Sequence, residues 1–219
     1  MSDDHRASIT IDVVSDVVCP WCFVGKRKLE QALALVPELK VELNWRPFQL
    51  DPTIPQGGVS RRDYMAKKFG PEKIAAIHER LKGVGAEAGI PFALDKIERS
   101  PNTLDAHRVI RWAQPHGAQT ALVDRLFTLY FIEGADIGDR DLLAKLAGEH
   151  GLDAKAIRAA LDTNQDAVAV QQEIASAVRL GVSGVPFFIL AGRFGVSGAQ
   201  PPEVLADAIR KAAAEPMQA

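Results

Sequence analysis

The chain has 219 residues, 26 of them basic and 28 acidic, which leaves a formal charge of −2 at pH 7. That near balance excludes the cation excess that nucleic acid or an anionic membrane surface demands. An apolar content of 47% in a chain of this length supports one large buried core, or a domain carrying an insertion. The first residues, Met1-Ser2-Asp3-Asp4-His5-Arg6, have neither the basic segment nor the apolar run of a secretory signal, and no stretch reaches membrane-spanning length. A cytoplasmic protein is therefore expected.

Ile9, Ile11 and Val13 alternate with Thr10, Asp12 and Val14 in a β-branched run that predicts a largely buried strand. It leads into Cys19-Pro20-Trp21-Cys22. Beyond the motif, Leu29, Ala32, Leu33 and Val36 recur at helical spacing, which places Cys19 at a helix start and Pro20 at the first helical position. Unpaired N–H groups and the positive end of the helix dipole favour the Cys19 thiolate there. Cys22, one turn further in, is expected to be more shielded and closer to an ordinary thiol. These are the only two cysteines, and the pattern points to a dithiol in which Cys19 attacks a partner sulfur and Cys22 resolves the mixed disulfide. A zinc site would need further ligands from His5, His78, His107, His116 or His150, none of which forms the paired spacing such sites use, so no metal is expected. A purely structural disulfide would close too small a loop to constrain the chain, and inert core cysteines do not collect at this spacing on a helix start.

Leu39, Val41, Leu43 and Trp45 alternate with Lys40, Glu42 and Asn44, a second strand with one polar face. The strand-helix-strand order implies a right-handed crossover and a parallel pair. Pro52, Pro55, Gly57 and Gly58 then mark a boundary. From Ser60 to about Leu180 the pattern is nearly all helical. Ser60 is a cap with Asp63 three residues on, and Pro71 and Glu72 open another helix that Gly83, Gly85 and Gly89 are expected to break up. Residues 91–98 are ambiguous, and helices are predicted over 101–112, 118–131, 139–150, 153–161 and 166–180. Arg61, Arg62, Lys67 and Lys68 read as a solvated helical face, with a binding patch for an acidic partner as the lesser reading. After Gly181, Phe187-Phe188-Ile189-Leu190 follows Val185-Pro186, turns at Ala191-Gly192 and returns over 193–196, a hairpin that begins with a proline; a last helix covers 200–214.

This order of features, with Gly184-Val185-Pro186-Phe187-Phe188 opening the hairpin, resembles the DsbA family of thioredoxin-fold disulfide oxidoreductases, and within it the FrnE-like cytosolic branch. The likeness rests on Val18-Cys19-Pro20-Trp21-Cys22, Trp45-Arg46-Pro47-Phe48, Asn102-Thr103 with Ala106-His107-Arg108, and Ser197-Gly198-Ala199-Gln200, and it covers nearly the whole chain. It implies an α/β, thioredoxin-like fold with a large all-helical insertion between strand two and the hairpin: a discontinuous domain of residues 1–55 and 181–219, and an insertion subdomain of 56–180. It implies that Pro186 is a cis-proline facing Cys19, with the Val185 backbone placed to pair with an extended substrate. Pro20 and Trp21 belong to the same active-site surface, and Trp45, Asn102, His107 and Ser197 become candidates for the cleft. Two positions depart from the pattern. Val13 stands where relatives hold a buried acid six residues before the attacking cysteine, so proton handling at Cys22 falls to water, Asp12 or Asp16. Trp21 stands where exported DsbA proteins carry histidine, which leaves the helix terminus as the main support of the Cys19 thiolate.

The implied activity is cytoplasmic thiol-disulfide exchange, as reductase or isomerase, on disulfide-containing proteins or small thiols. No permanently bound cofactor is expected, and glutathione is a candidate co-substrate. The long insertion also resembles glutathione-dependent 2-hydroxychromene-2-carboxylate isomerases and kappa-class glutathione transferases, which present a serine at the attacking position. In that alternative the loop from Ser197 to Gln200 would meet the γ-glutamyl end. A third reading is a peptide-binding chaperone with incidental thiols. The sequence leaves assembly as a homodimer open.

Overall fold

The computed structural model describes residues 7–215; the terminal hexapeptide read for a signal, His5 included, lies outside them. Strand β1 (Ala7–Ser15), helix α1 (Pro20–Ala34) and strand β2 (Leu39–Pro47) form the expected crossover, with Ala7 beside Leu39 and Ser15 beside Pro47 in a parallel ladder. β1 buries one face from Ile9 onward, and the other, which carries Ser8, Thr10 and Asp12, only at its C-terminal end. Ile9, Ile11 and Val13 join the main core, while Val14 packs with Ala177 and Val182 on the other side. β2 is an edge strand, and its alternation of exposed Lys40 and Glu42 with Val41 and Leu43 keeps that edge charged.

Strand β3 (Val59–Ser60) pairs with β4 (Arg99–Ser100) around helices α2 (Arg61–Phe69) and α3 (Ile74–Glu87). Ser60 caps α2, its hydroxyl accepting from the Asp63 N–H at 3.3 Å. α3 runs unbroken through Gly83 and Gly85, against the sequence expectation. Gly85 is there for packing: a Cβ would stand 2.7 Å from the Ile90 carbonyl and inside the Phe92 ring. Of the three glycines, Gly89 alone has a left-handed φ, at +69°, just beyond the helix. Residues 101–103 do not join α4 (Leu104–Trp112), because the Asn102 side chain accepts the Leu104 N–H at 2.9 Å and starts the helix later. Helix α5 (Gln119–Thr128) widens into a π turn at Leu129–Glu133, and α6 (Arg140–Glu149), α7 (Ala154–Leu161) and α8 (Ala167–Arg179) follow. Strands β5 (Phe187–Leu190) and β6 (Phe194–Ser197) complete a sheet ordered β2-β1-β5-β6, covered by α9 (Pro202–Ala214). This is the thioredoxin-like arrangement with a helical insertion. No described helix is long and apolar enough to cross a membrane.

Two contacts fix α1. On one side, Phe23 stacks on Phe127 at 5.1 Å and meets Phe92 edge-on at 6.0 Å, joining the motif helix to the insertion. On the other, Gly25 lies so close to Pro186 that a Cβ would stand 2.7 Å from its Cγ. Within the insertion, the buried Arg108 donates to the carbonyls of Gln165, Ala160 and Thr163 at 2.7–2.9 Å and pairs with Asp105 at 2.6 Å, tying α4 to the corner between α7 and α8.

The Gly25 contact predicts that Gly25→Val lowers the unfolding free energy by about 1–3 kcal/mol through overpacking. Gly83→Ala, with nothing within 4 Å of the added methyl on an exposed helix position, raises it by up to about 1 kcal/mol. Urea unfolding of both variants measures the contrast.

Candidate active site

Cys19 is the N-cap of α1, with φ −92° and ψ 113°, and Pro20 follows at the first helical position. The Cys19 N–H donates to the Asp16 carbonyl at 2.9 Å, and the Cys19 carbonyl accepts from Cys22 and Phe23 at 3.1 and 3.3 Å. The first turn of α1 holds no acidic side chain, so no acid of the helix itself offsets the positive end of its dipole beside the Cys19 sulfur. That thiol donates to the Val185 carbonyl at 3.6 Å, across 166 residues of sequence. The Val185–Pro186 peptide bond is cis.

Both cysteines are free, and both are buried, Cys19 at 3% and Cys22 at 1% exposure. Burial pushes the Cys22 thiol well above its ordinary value, with the adjoining Cys19 adding to the shift and the Ser15 hydroxyl and Asp16 backbone opposing it. Cys22 is thus further from an ordinary thiol than its place one turn into a helix suggests, because that turn is sunk in the core. Asp12, on β1, and Asp16, just beyond it, are placed differently. Asp12 pairs with Arg46 at 2.8 Å on the half-exposed face of the sheet. Asp16 is buried: its Oδ2 accepts the Leu50 N–H at 2.8 Å, while Oδ1 lies 3.4 Å from His107 Nε2 without a hydrogen bond. His107 Nε2 is 2.8 Å from the Phe48 carbonyl, which can only accept, so that nitrogen carries the proton.

Cys19 opens onto a cavity of about 470 Å³. Pro20, Trp21 and Val185 form its wall on the motif side, and Asp16 also borders it. Helices α2 and α3 contribute Tyr64, Met65, Ile77 and Leu81, and Tyr130 closes the floor. Burial pushes the Tyr130 hydroxyl up to about 12, and it donates to the Arg99 carbonyl at 3.2 Å, a neutral wall at any working pH.

Of the other residues expected here, Pro186 packs on Gly25 rather than lining the cavity, its carbonyl accepting from the Gly198 N–H at 2.8 Å. Trp45 is a core residue held by α5, its indole donating to Thr120 at 3.0 Å. Asn102 acts as the local cap already described and donates to the Ile54 carbonyl at 2.6 Å. His107 sits behind the wall with Asp16, and Ser197 is exposed on β6, its carbonyl taking the Gln200 amide at 2.8 Å. Trp45, Asn102, His107 and Ser197 do not border the cavity. The residues that sequence reading missed are Arg61, Lys68 and Arg80, which do. The four-cation face of α2 splits: Arg62 and Lys67 face solvent, while Arg61, Tyr64, Met65 and Lys68 share one stripe at helical spacing, the signal that could have found them. Among the described residues no group of three or more His, Cys, Asp or Glu could hold a metal.

Residues 10–210 match the model of the DSBA-like thioredoxin domain. A relative in Bacillus subtilis, the uncharacterized protein YwbO, is 30% identical over 92% of this chain and 96% of its own. The crystal structure of a probable DsbA oxidoreductase from Streptomyces coelicolor superposes with a TM-score of 0.86 at 33% identity, covering 96% of this chain and 92% of that one. The cytosolic disulfide reductase DsbM of Pseudomonas aeruginosa, solved with GSH, shares the fold at a TM-score of 0.61 and 20% identity, over 92% of this chain and 98% of that one.

The burial of Cys22 generates a pH prediction. Burial is the largest cause of its shift and persists when Cys19 is tied up in a mixed disulfide, so attack by Cys22 needs a thiolate that is scarce at neutral pH. The logarithm of the resolving rate should climb with a slope near one from about pH 6.5 to 9. Rapid acid quench of the mixed disulfide measures it, and a plateau inside that window contradicts it.

Proposed function

The chain belongs to the family of DSBA-like thioredoxin domains, and we propose that it is a thiol-disulfide oxidoreductase in which Cys19 attacks and Cys22 resolves. One observation carries the reading: a thiol at the N-terminus of α1, against the Val185 carbonyl and open to a cavity, stands beside a second thiol buried in the core. The helix N-terminus sets its unpaired N–H groups beside the first sulfur, while desolvation keeps the second mostly protonated, in the mixed disulfide as before it. Cys19 then forms a bond to one substrate sulfur while the other leaves, and Cys22 displaces the first, leaving a Cys19–Cys22 disulfide.

The working direction in this reading is reduction or isomerisation in a cytoplasmic setting, with glutathione as the thiol that returns the pair to its dithiol form. The likeness to DsbM, a cytosolic disulfide reductase solved with GSH, supports that choice, and the Trp45 to Phe48 and Ser197 to Gln200 segments support placement in the FrnE-like branch. Residues 56–180 act here as an insertion subdomain that covers thiols carried by residues 1–55 and 181–219.

Cys22→Ala treated with oxidised glutathione should accumulate a stable glutathione adduct on Cys19, read by intact mass, and Cys19→Ser should form none. Exchange turnover in Cys19→Ser should fall by at least about 10³-fold, as when a covalent nucleophile is removed. Glutathione-dependent isomerisation of an aromatic substrate that survives Cys19→Ser would overturn the assignment in favour of an isomerase.

A further inference from the structure

We propose that the disulfides this site takes are those of small amphipathic thiols, each with an aromatic or alkyl body and a carboxylate, in preference to protein disulfides. The proposal rests on the oxidoreductase reading and names its substrate class. Cys19 is only 3% exposed, and the space in front of its sulfur is the cavity of about 470 Å³. That volume suits a small molecule, for which pockets run from about 300 to 1,000 Å³. A folded protein would have to bring its disulfide beneath α2 and α3, whose Met65, Ile77 and Leu81 cover the thiol.

The walls are apolar, yet three cations border them. Arg80 holds its guanidinium 5.5 Å over the ring of Trp21, inside the cysteine motif itself. Lys68 donates to the Tyr64 hydroxyl at 2.7 Å and lies over the Tyr64 and Phe69 rings. Arg61 reaches the Ser100 hydroxyl at 3.4 Å. Among the described residues none of the three forms an ion pair with a carboxylate. Of the acids that share the cavity, Asp51 accepts the Thr53 N–H and hydroxyl, which hold its carboxyl below the usual range with help from the Tyr64 hydroxyl and the charge of Lys68, so Lys68 is partly offset. Asp16 is buried against Leu50 and His107. Arg80, over the Trp21 ring, and Arg61, on the Ser100 hydroxyl, leave a positive rim on an apolar space, complementary to an anionic group on an otherwise apolar ligand.

The chemistry balances without an added reductant for a single turnover. The Cys19 thiolate bonds to one sulfur of R–S–S–R, the S–S bond breaks, and the first RS⁻ leaves with the electron pair. The Cys22 thiolate then bonds to the Cys19 sulfur and expels the second RS⁻, so two electrons pass from the dithiol to the substrate and the two thiol protons pass to the products or solvent.

The test is a single-turnover measurement with the reduced full-length protein and four probes: dithiobis-nitrobenzoate, which is aromatic and anionic; dithiodipyridine, which is aromatic and neutral; dithiodiglycolate, anionic without an apolar body; and insulin. Each second-order rate constant is divided by that of free glutathione with the same probe, which cancels intrinsic reactivity. The normalised constant for dithiobis-nitrobenzoate should exceed each of the others by about tenfold or more. Arg80→Gln with Lys68→Gln should lower the ratio of dithiobis-nitrobenzoate to dithiodipyridine by about tenfold, and Arg80→Lys should retain most of it. Single Arg80→Gln serves if the double variant does not fold. Normalised constants within about threefold of one another, or an equal fall for charged and neutral probes, overturn the proposal. Reaction that persists with every probe in Cys19→Ser overturns the oxidoreductase reading instead.

Discussion

The site depends on a side chain that is not there. Gly25 lets the middle of α1 lie against the ring of Pro186, and the cysteine motif can reach the loop before β5 only because that approach is open. The Cys19 sulfur and the Val185 carbonyl are held in register by this contact, although they come from opposite ends of the chain. The opposite face of the same helix is fixed by Phe23 in the aromatic cluster of Phe92, Phe127 and Phe131. One helix is therefore wedged between the sheet's hairpin and the insertion, and the cavity is the gap left at its N-terminal tip. Close-packed interiors transmit strain, so displacement at either contact would move the sulfur.

Within that wedge, two chemically identical side chains are made different by one turn of helix. Cys19 meets the end of the dipole and a space for ligand, whereas Cys22 meets only core. No acid on the first strand compensates for this, since Val13 occupies the buried position and Asp12 is turned to Arg46. Asp16 is the carboxylate that remains close to the motif, and because His107 Nε2 gives its hydrogen to the Phe48 carbonyl, one Asp16 oxygen is left without a hydrogen-bonding partner in a place water scarcely reaches. The polar arrangement around the dithiol is thus local and nearly closed, and the cations lie further out.

Much of this was legible from the chain alone. The dithiol, the crossover and the proline-led hairpin are written in short local patterns: a β-branched strand, a cysteine pair on a helix start, a proline before an apolar tetrapeptide. The continuity of α3 was not, because Gly83 and Gly85 carry the same letter for different reasons, one exposed and one accepting the Phe92 ring. Nor was the cavity. Arg61 and Lys68 share a stripe with Tyr64 and Met65 that marks an inward face of α2, but only the folding of α2 and α3 over the motif brings them to Arg80 and Trp21, and no local pattern encodes that. Trp45 and His107 are the reverse case: the family likeness makes them candidates for the cleft, but their polar atoms find partners in Thr120 and Phe48 and the rings serve as core and support.

Arg108 carries a consequence for how this protein can vary. Four of its five hydrogen bonds are to peptide oxygens between residues 160 and 165, and the remaining one is to Asp105. Recognition through the main chain is indifferent to which side chains that corner displays, so the corner can drift freely in composition while its path stays fixed. The guanidinium itself has no such liberty, because lysine offers no planar fork to span those oxygens. Across related chains, the segment that wanders and the single residue that cannot should sit side by side in space and far apart in the alignment.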